Sequence, residues 1–296
     1  MALEDVVVVN NNSAAGSATS RKRKLPDVDP TMELTAQEKQ WALDIKEAFA
    51  DDDEICAKVF SDMQIAIFAI VDRDDVGRSL ERAQCLQAFR MQYNINDTVQ
   101  EGIDIFQRQQ DICPGMLLSI EECPNDDGRG SHALVMDLAK YFPLRFLDNP
   151  KDFRCSIGSI YYSILCTQPD LTSVREGFRQ VFECDDVGWE NACFKAELKS
   201  VDELLTSLPY RRKQVKCLRM PSVLLVVLHL LRPFMPKEEY DAFSYGSEDL
   251  QIEFPDRIDQ FYMQPTPADA FEHLMKRCTR LLKRRVENEE SFRLQD

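Results

Sequence analysis

Apolar residues recur at helical spacing from residue 35 onward. Trp41, Ile45 and Phe49 follow one another at intervals of four, as do Ile55, Val59, Met63 and Ile67. Thr35 and Glu38 form an S/T-x-x-E capping pattern ahead of the first run, and Thr98 and Glu101 repeat it ahead of Ile103 and Phe106. These signals predict a helical subdomain over residues 34–112. Beyond it the pattern shortens. Leu117–Ile120, Ala133–Met136, Phe178–Cys184 and Val215–Met220 read as strands. Helical stretches are expected between them, over about 152–167, 190–207 and 222–232. Strands alternating with helices predict an α/β fold, a mostly parallel β-sheet flanked by helices. Gly128 and Gly130 mark a turn, and Pro209 and Pro221 bracket the last predicted strand. A final helix is expected from about Pro267 to Val286. Phe271, Leu274, Leu281 and Leu282 mix there with Lys276, Arg277, Arg280, Lys283, Arg284 and Arg285. The expected organisation is a tail (1–33), the helical subdomain (34–112), an α/β domain (113–264) and a basic C-terminal helix (265–296).

Composition narrows the function classes. The chain of 296 residues carries a net charge of −15. Its overall field repels nucleic acid and anionic membrane surfaces. No nucleic-acid partner is expected, and membrane contact must come from a local basic patch. Residues 1–33 are rich in Asn, Ser and Ala and lack the apolar surface to order themselves. Arg21, Lys22, Arg23 and Lys24 within them read either as a nuclear address or as a solvated charge run. The start MALEDVVVVNNN lacks the basic opening and long apolar core of a secretory signal, so a cytoplasmic protein is expected. The longest apolar run, Val223 to Leu231, is interrupted by His229 and is too short to span a bilayer. Ten cysteines are scattered without a C-x-x-C pair, and there are three histidines. That pattern predicts reduced core thiols, no metal and no cofactor.

Catalytic signatures are missing from the sequence. It contains no nucleophile elbow, phosphate loop or dinucleotide fingerprint. The string from Asp72 to Gly77 resembles a calcium loop but puts Val76 and Ala83 where ligands are needed, and reads as a polar helix end. Asp51, Asp52, Asp53 and Glu54 suit a helix N-terminus. Asp185 and Asp186 suit a turn and cap at a strand end. His132 and His229 lie in apolar runs and read as hydrogen-bonded core residues. An enzyme acting on a lipid would need a polar cluster such as Asp185 with His132. The expectation is a protein with no catalytic residues of its own.

Three segments, taken in order, resemble the CRAL-TRIO lipid-binding family. Leu86-Gln-Ala-Phe-Arg-Met-Gln-Tyr-Asn-Ile95 is similar to its N-terminal helix pair. Gly177-Phe-Arg-Gln-Val-Phe-Glu-Cys-Asp-Asp-Val-Gly-Trp189 is similar to its strand ending in D-x-x-G. Leu208-Pro209 through Pro221 to Arg232-Pro233-Phe234 follows its order of strand, proline, helix and basic-P-F. The resemblance spans about residues 80–250. It implies a cavity gated by the segment after Pro221 and closed over a hydrophobic lipid. It also implies a transient membrane surface as partner and a monomeric carrier.

Placing the implied lining on the predicted strands and helices yields Tyr161, Tyr162, Leu165, Val181, Phe182, Val215, Cys217, Val227 and Phe234. Arg211 and Lys213 match a basic edge of tocopherol-transferring members, and Arg280 and Lys283 offer a second membrane contact. Tyr210 stands where phosphatidylinositol-transferring members carry Glu, and Ala242, beyond Glu238 and Glu239, falls near where they carry a basic residue. That headgroup is therefore not implied. A buried methylene contributes about 0.8 kcal/mol, so a long acyl chain gains about 10 kcal/mol before binding costs. The other expectation is a protein-interaction module on the same fold with a collapsed cavity.

Overall fold

The computed structural model describes residues 30–52, 55, 59–124, 130–142, 144–147, 149–191, 195–221, 243–246 and 267–294. Among the described residues, four α-helices precede the sheet. In α1 (Ala36–Asp51) the predicted capping box forms: Thr35 Oγ1 accepts from the Glu38 amide at 3.2 Å, and Glu38 accepts from the Thr35 amide at 2.9 Å. Ser61 and Gln64 make the same reciprocal pair for α2 (Asp62–Asp72), so Ile55 and Val59 precede that helix. Helix α2 is apolar on most sides. Met63, Ala66, Ile67 and Ile70 pack against Leu171 and Val174, while Ile65, Phe68 and Ala69 enter the main core.

Asp75 caps α3 (Val76–Tyr93) and Thr98 caps α4 (Val99–Ile112). The Asp72–Gly77 string is thus the corner between α2 and α3, with Arg73 at φ 63°. Of the acids expected to begin a helix, Asp51 and Asp52 do not. Asp51 ends α1, and Asp52 Oδ1 accepts from the Ile55 amide at 3.0 Å.

Among the described residues the sheet has five strands: β1 (Leu117–Pro124), β2 (Gly130–Asp137), β3 (Phe178–Glu183), β4 (Arg212–Leu218) and β5 (Phe243–Gly246). Their spatial order follows the chain. β1 and β2 pair antiparallel, and every later pair is parallel. Parallel neighbours need crossovers. Between β2 and β3 these are α5 (Leu144–Leu147), α6 (Pro150–Cys166) and α7 (Leu171–Glu176); between β3 and β4 it is α8 (Lys195–Ser207). Gly177, at φ 70°, turns α7 into β3, where a Cβ would lie 2.9 Å from the Arg211 carbonyl oxygen. Helix α9 (Pro267–Ser291) closes the described chain.

Side chains alternate across a strand. One sheet face carries Ile120, Leu134 and Phe178 into the main core, together with residues of α1 to α4, α6, α8 and α9. Gly102 of α4 lets that helix approach closely: a Cβ there would lie 2.7 Å from Leu282 of α9 and 2.8 Å from Tyr162 of α6. The other face carries Ala133, Val135, Val181 and Leu218, a separate cluster with Leu118 beside it.

The basic C-terminal helix is part of the body. Leu274, Cys278, Leu281 and Leu282 of α9 are buried in the main core. No helix among the described residues is long and apolar enough to cross a membrane.

Candidate ligand-binding face

The second sheet face is a small apolar floor crossed by polar rows. The register sets Ala133, Arg179 and Gln214 side by side, then Val135, Val181 and Lys216, then Asp137, Glu183 and Leu218. Ala133, Val135, Val181 and Leu218 are each 0% exposed. Glu121 and Ser119 of β1 extend the first two rows to the sheet edge. There the Ser119 hydroxyl bonds Glu121, and Arg277 of α9 donates to Glu121 Oε2 at 3.1 Å.

The last row stands at the carboxyl ends of the parallel strands, where open α/β sheets place their ligands. Glu183 is buried beside Asp137. Its Oε1 accepts from Arg219 Nε at 3.0 Å and from the Asp185 amide at 3.2 Å. Arg219 also reaches Asp185 Oδ2 at 3.0 Å, and its own backbone is left-handed, at φ 50°. Burial, with the charge of Glu183 adding to it, raises the Asp137 carboxyl above its ordinary range. Glu183 Oε2 is buried and has no hydrogen-bond partner. The sequence reading missed Glu183, although it has the same strand parity as Val181.

The structure does not bring the expected lining residues to one surface. Val181 lies on the floor. Phe182, Val215 and Cys217 lie on the opposite face, in a cluster with Leu138, Cys184, Val187 and Met220. Val181 and Phe182 are consecutive in a strand and point to opposite sides, so one cavity cannot take both.

Tyr161, Tyr162 and Leu165 belong to α6 within the main core. The Tyr161 hydroxyl bonds Asp97 and accepts from Arg90, and the Tyr162 hydroxyl donates to Glu101 at 2.7 Å. Val227 and Phe234 lie outside the described residues, as do His229, Glu238, Glu239, Ala242 and the Arg21–Lys24 tetrad. Tyr210 is half-buried and stacks obliquely on Phe178 at 5.8 Å.

Of the expected basic contacts, Lys213, Arg280 and Lys283 are exposed. Arg211 is half-buried and donates to the Arg175 carbonyl at 3.3 Å. Asp185 and Asp186 form the turn that was expected of them. The cysteines at 85, 113, 155, 166, 184, 217 and 278 are free thiols. No group of three or more His, Cys, Asp or Glu among the described residues is arranged to hold a metal.

His132 departs from expectation. It is buried, 4% exposed, but neither ring nitrogen has a hydrogen-bond partner. Burial depresses its pKa from 6.5 to about 4; Arg277 and Arg284 add to the depression, while Glu122 and Asp170 oppose it. The folded chain therefore refuses a proton that the unfolded chain accepts below about pH 6.5. Stability from this group is complete above that value and falls as pH drops toward 4, by about 3 kcal/mol in all. Urea melts across pH 4–7 should show this slope, and His132→Leu should flatten it.

A scan against protein-family models finds no match for this chain, and no curated protein matches its sequence. The fold and face together define a mixed α/β protein with a mostly parallel sheet. Its helical body packs on one sheet face.

Proposed function

We propose that this chain is a lipid-binding protein of the CRAL-TRIO type, which holds an apolar ligand against the second sheet face and carries it between membranes. The observation that carries the reading is the floor of Ala133, Val135, Val181 and Leu218, a buried apolar cluster separate from the helical core. The polar rows beside them suit an amphipathic guest better than a plain hydrocarbon. The ordered resemblance of three segments supports the same reading.

Membrane contact in this reading is shallow and electrostatic. The apolar residues of α9 are used in the core, and Arg280 and Lys283 face outward. Such a contact weakens as salt rises, because its charges are exposed.

The test is extraction of the purified full chain followed by mass spectrometry, together with uptake of a fluorescent long-chain lipid. Bound lipid and saturable uptake are expected. Val181→Asp, which puts a charge on the floor, should weaken uptake by about tenfold or more. A chain with neither bound lipid nor uptake would instead be an interaction module with a closed core.

A further inference from the structure

We propose that a polar cleft between α4, α6 and the connection from α3 to α4 binds a small, soluble phosphate ester of a polyol. Its phosphate is held by Arg108, Lys151 and Arg154, and a hydroxyl of its body donates to Asp104. This site is separate from the sheet face and does not rest on the lipid-binding reading.

The cleft has a volume of about 520 Å³, inside the range of small-molecule sites, about 300–1,000 Å³. Helical spacing builds its two walls. Glu101, Asp104, Ile105 and Arg108 recur along one side of α4, and Lys151, Arg154 and Cys155 along one side of α6. Asn94, Asn96 and Thr98 of the connection complete it. Among the described lining residues only Ile105 and Cys155 are apolar, so the cleft suits a guest that hydrogen-bonds along its length rather than an acyl chain.

Both arginines are already anchored by one edge. Arg108 donates Nε and Nη2 to Asp152 Oδ1 at 2.9 Å and 2.7 Å. Arg154 donates Nε to the Tyr93 carbonyl and Nη2 to the Asn94 carbonyl and to Glu101 Oε1. Nη1 of each arginine and the Lys151 ammonium have no partner among the described residues. A side chain ordered before the ligand arrives lowers the cost of binding. Three cationic donors match the three terminal oxygens of a phosphate ester, where a carboxylate has two. The two carboxylates of the lining differ in what they have left. Glu101 is used up, since Oε1 takes Arg154 and Oε2 takes the Asn96 amide and the Tyr162 hydroxyl, each at 2.7 Å. Asp104 accepts from Gln100 at Oδ1, 2.8 Å, and keeps Oδ2 for a donor. A bare anion brings nothing to donate there, whereas a hydroxylated one does.

The experiment titrates the full chain calorimetrically with glucose 6-phosphate, glycerol 3-phosphate, glucose and inorganic phosphate. At least one of the two esters should bind saturably, about tenfold or more tightly than glucose or inorganic phosphate. Its binding should weaken as salt rises. Lys151→Met should weaken it by about tenfold and leave the urea midpoint unchanged, because that side chain is exposed and unpaired. Asp104→Ala should reduce the ester's advantage over inorganic phosphate to less than about threefold.

Failure of both esters to bind overturns the proposal. Inorganic phosphate binding as tightly as the esters reduces the cleft to a general anion site, and glucose binding as tightly removes the role of the phosphate. Undiminished ester binding in Lys151→Met places the ester elsewhere on the molecule and overturns the assignment to this cleft. Lipid extraction and uptake are read separately, so either reading can fail without the other.

Discussion

Arg277→Met is expected to destabilise the folded chain by about 3–5 kcal/mol. Arg277 and Glu121 form an ion pair between α9 and the edge strand β1, with side chains 9% and 1% exposed. Removing the guanidinium takes a charge partner from a carboxylate held in the interior, where charge is costly. The double variant Arg277→Met with Glu121→Leu should recover most of the loss. A buried pair often contributes little over apolar groups of similar size, and Arg277 Nε is itself unpartnered here. Urea denaturation of the two single variants and the double variant measures the coupling. If the single substitution of Arg277 costs under about 1 kcal/mol, the pair does not hold the helix to the sheet.

Arg90→Met should cost a similar amount, about 3–5 kcal/mol, for a related reason. Arg90 lies 2.5 Å from Asp97 and donates to the Tyr161 hydroxyl at 3.0 Å and 3.1 Å; that hydroxyl in turn bonds Asp97. The guanidinium also sits 5.4 Å over the Phe60 ring. One side chain thus joins α3, the turn before α4, and α6. Tyr161→Phe removes one member and leaves the ion pair in place, so its cost should be smaller, about 1–3 kcal/mol. Thermal and urea melts should rank the two in that order. The reverse order would mean that the hydroxyl, rather than the charge pair, organises the network.

The strands were legible because each is a short apolar run between turn residues, and four of the five fall where the runs stand. β5 was not, since Phe243–Gly246 is too short to show a period. The first cap was readable because its two partners are three residues apart. Thr98 also caps as expected, but Glu101 bonds the Asn96 amide at 2.7 Å and Arg154 at 2.5 Å instead of closing a box. Those partners depend on folding.

The floor was half legible. Val181 could be named from its strand, but choosing it with Phe182 ignored the alternation that sends neighbours to opposite faces. The hydroxyl of Tyr161 meets groups 64 and 71 residues away, a distance no local pattern reports. The buried arginines of α9 were hidden by their charge. Arg277 and Arg285 lie among Leu274, Cys278, Leu281 and Leu282 at helical spacing, but their basicity suggested solvent.

Helix α9 supplies a wall to the core begun by α2, α4 and α6, more than a hundred positions earlier in the chain. Leu294 donates its amide to Asp62, and Asn288 donates to the Pro169 carbonyl. During synthesis, the opening helices therefore wait for α9 to leave the ribosome before their shared interior can close. Until then the nascent protein exposes the surfaces of those helices to chaperones. A chain cut short before α9 would lack that wall and could not finish folding, however intact its sheet.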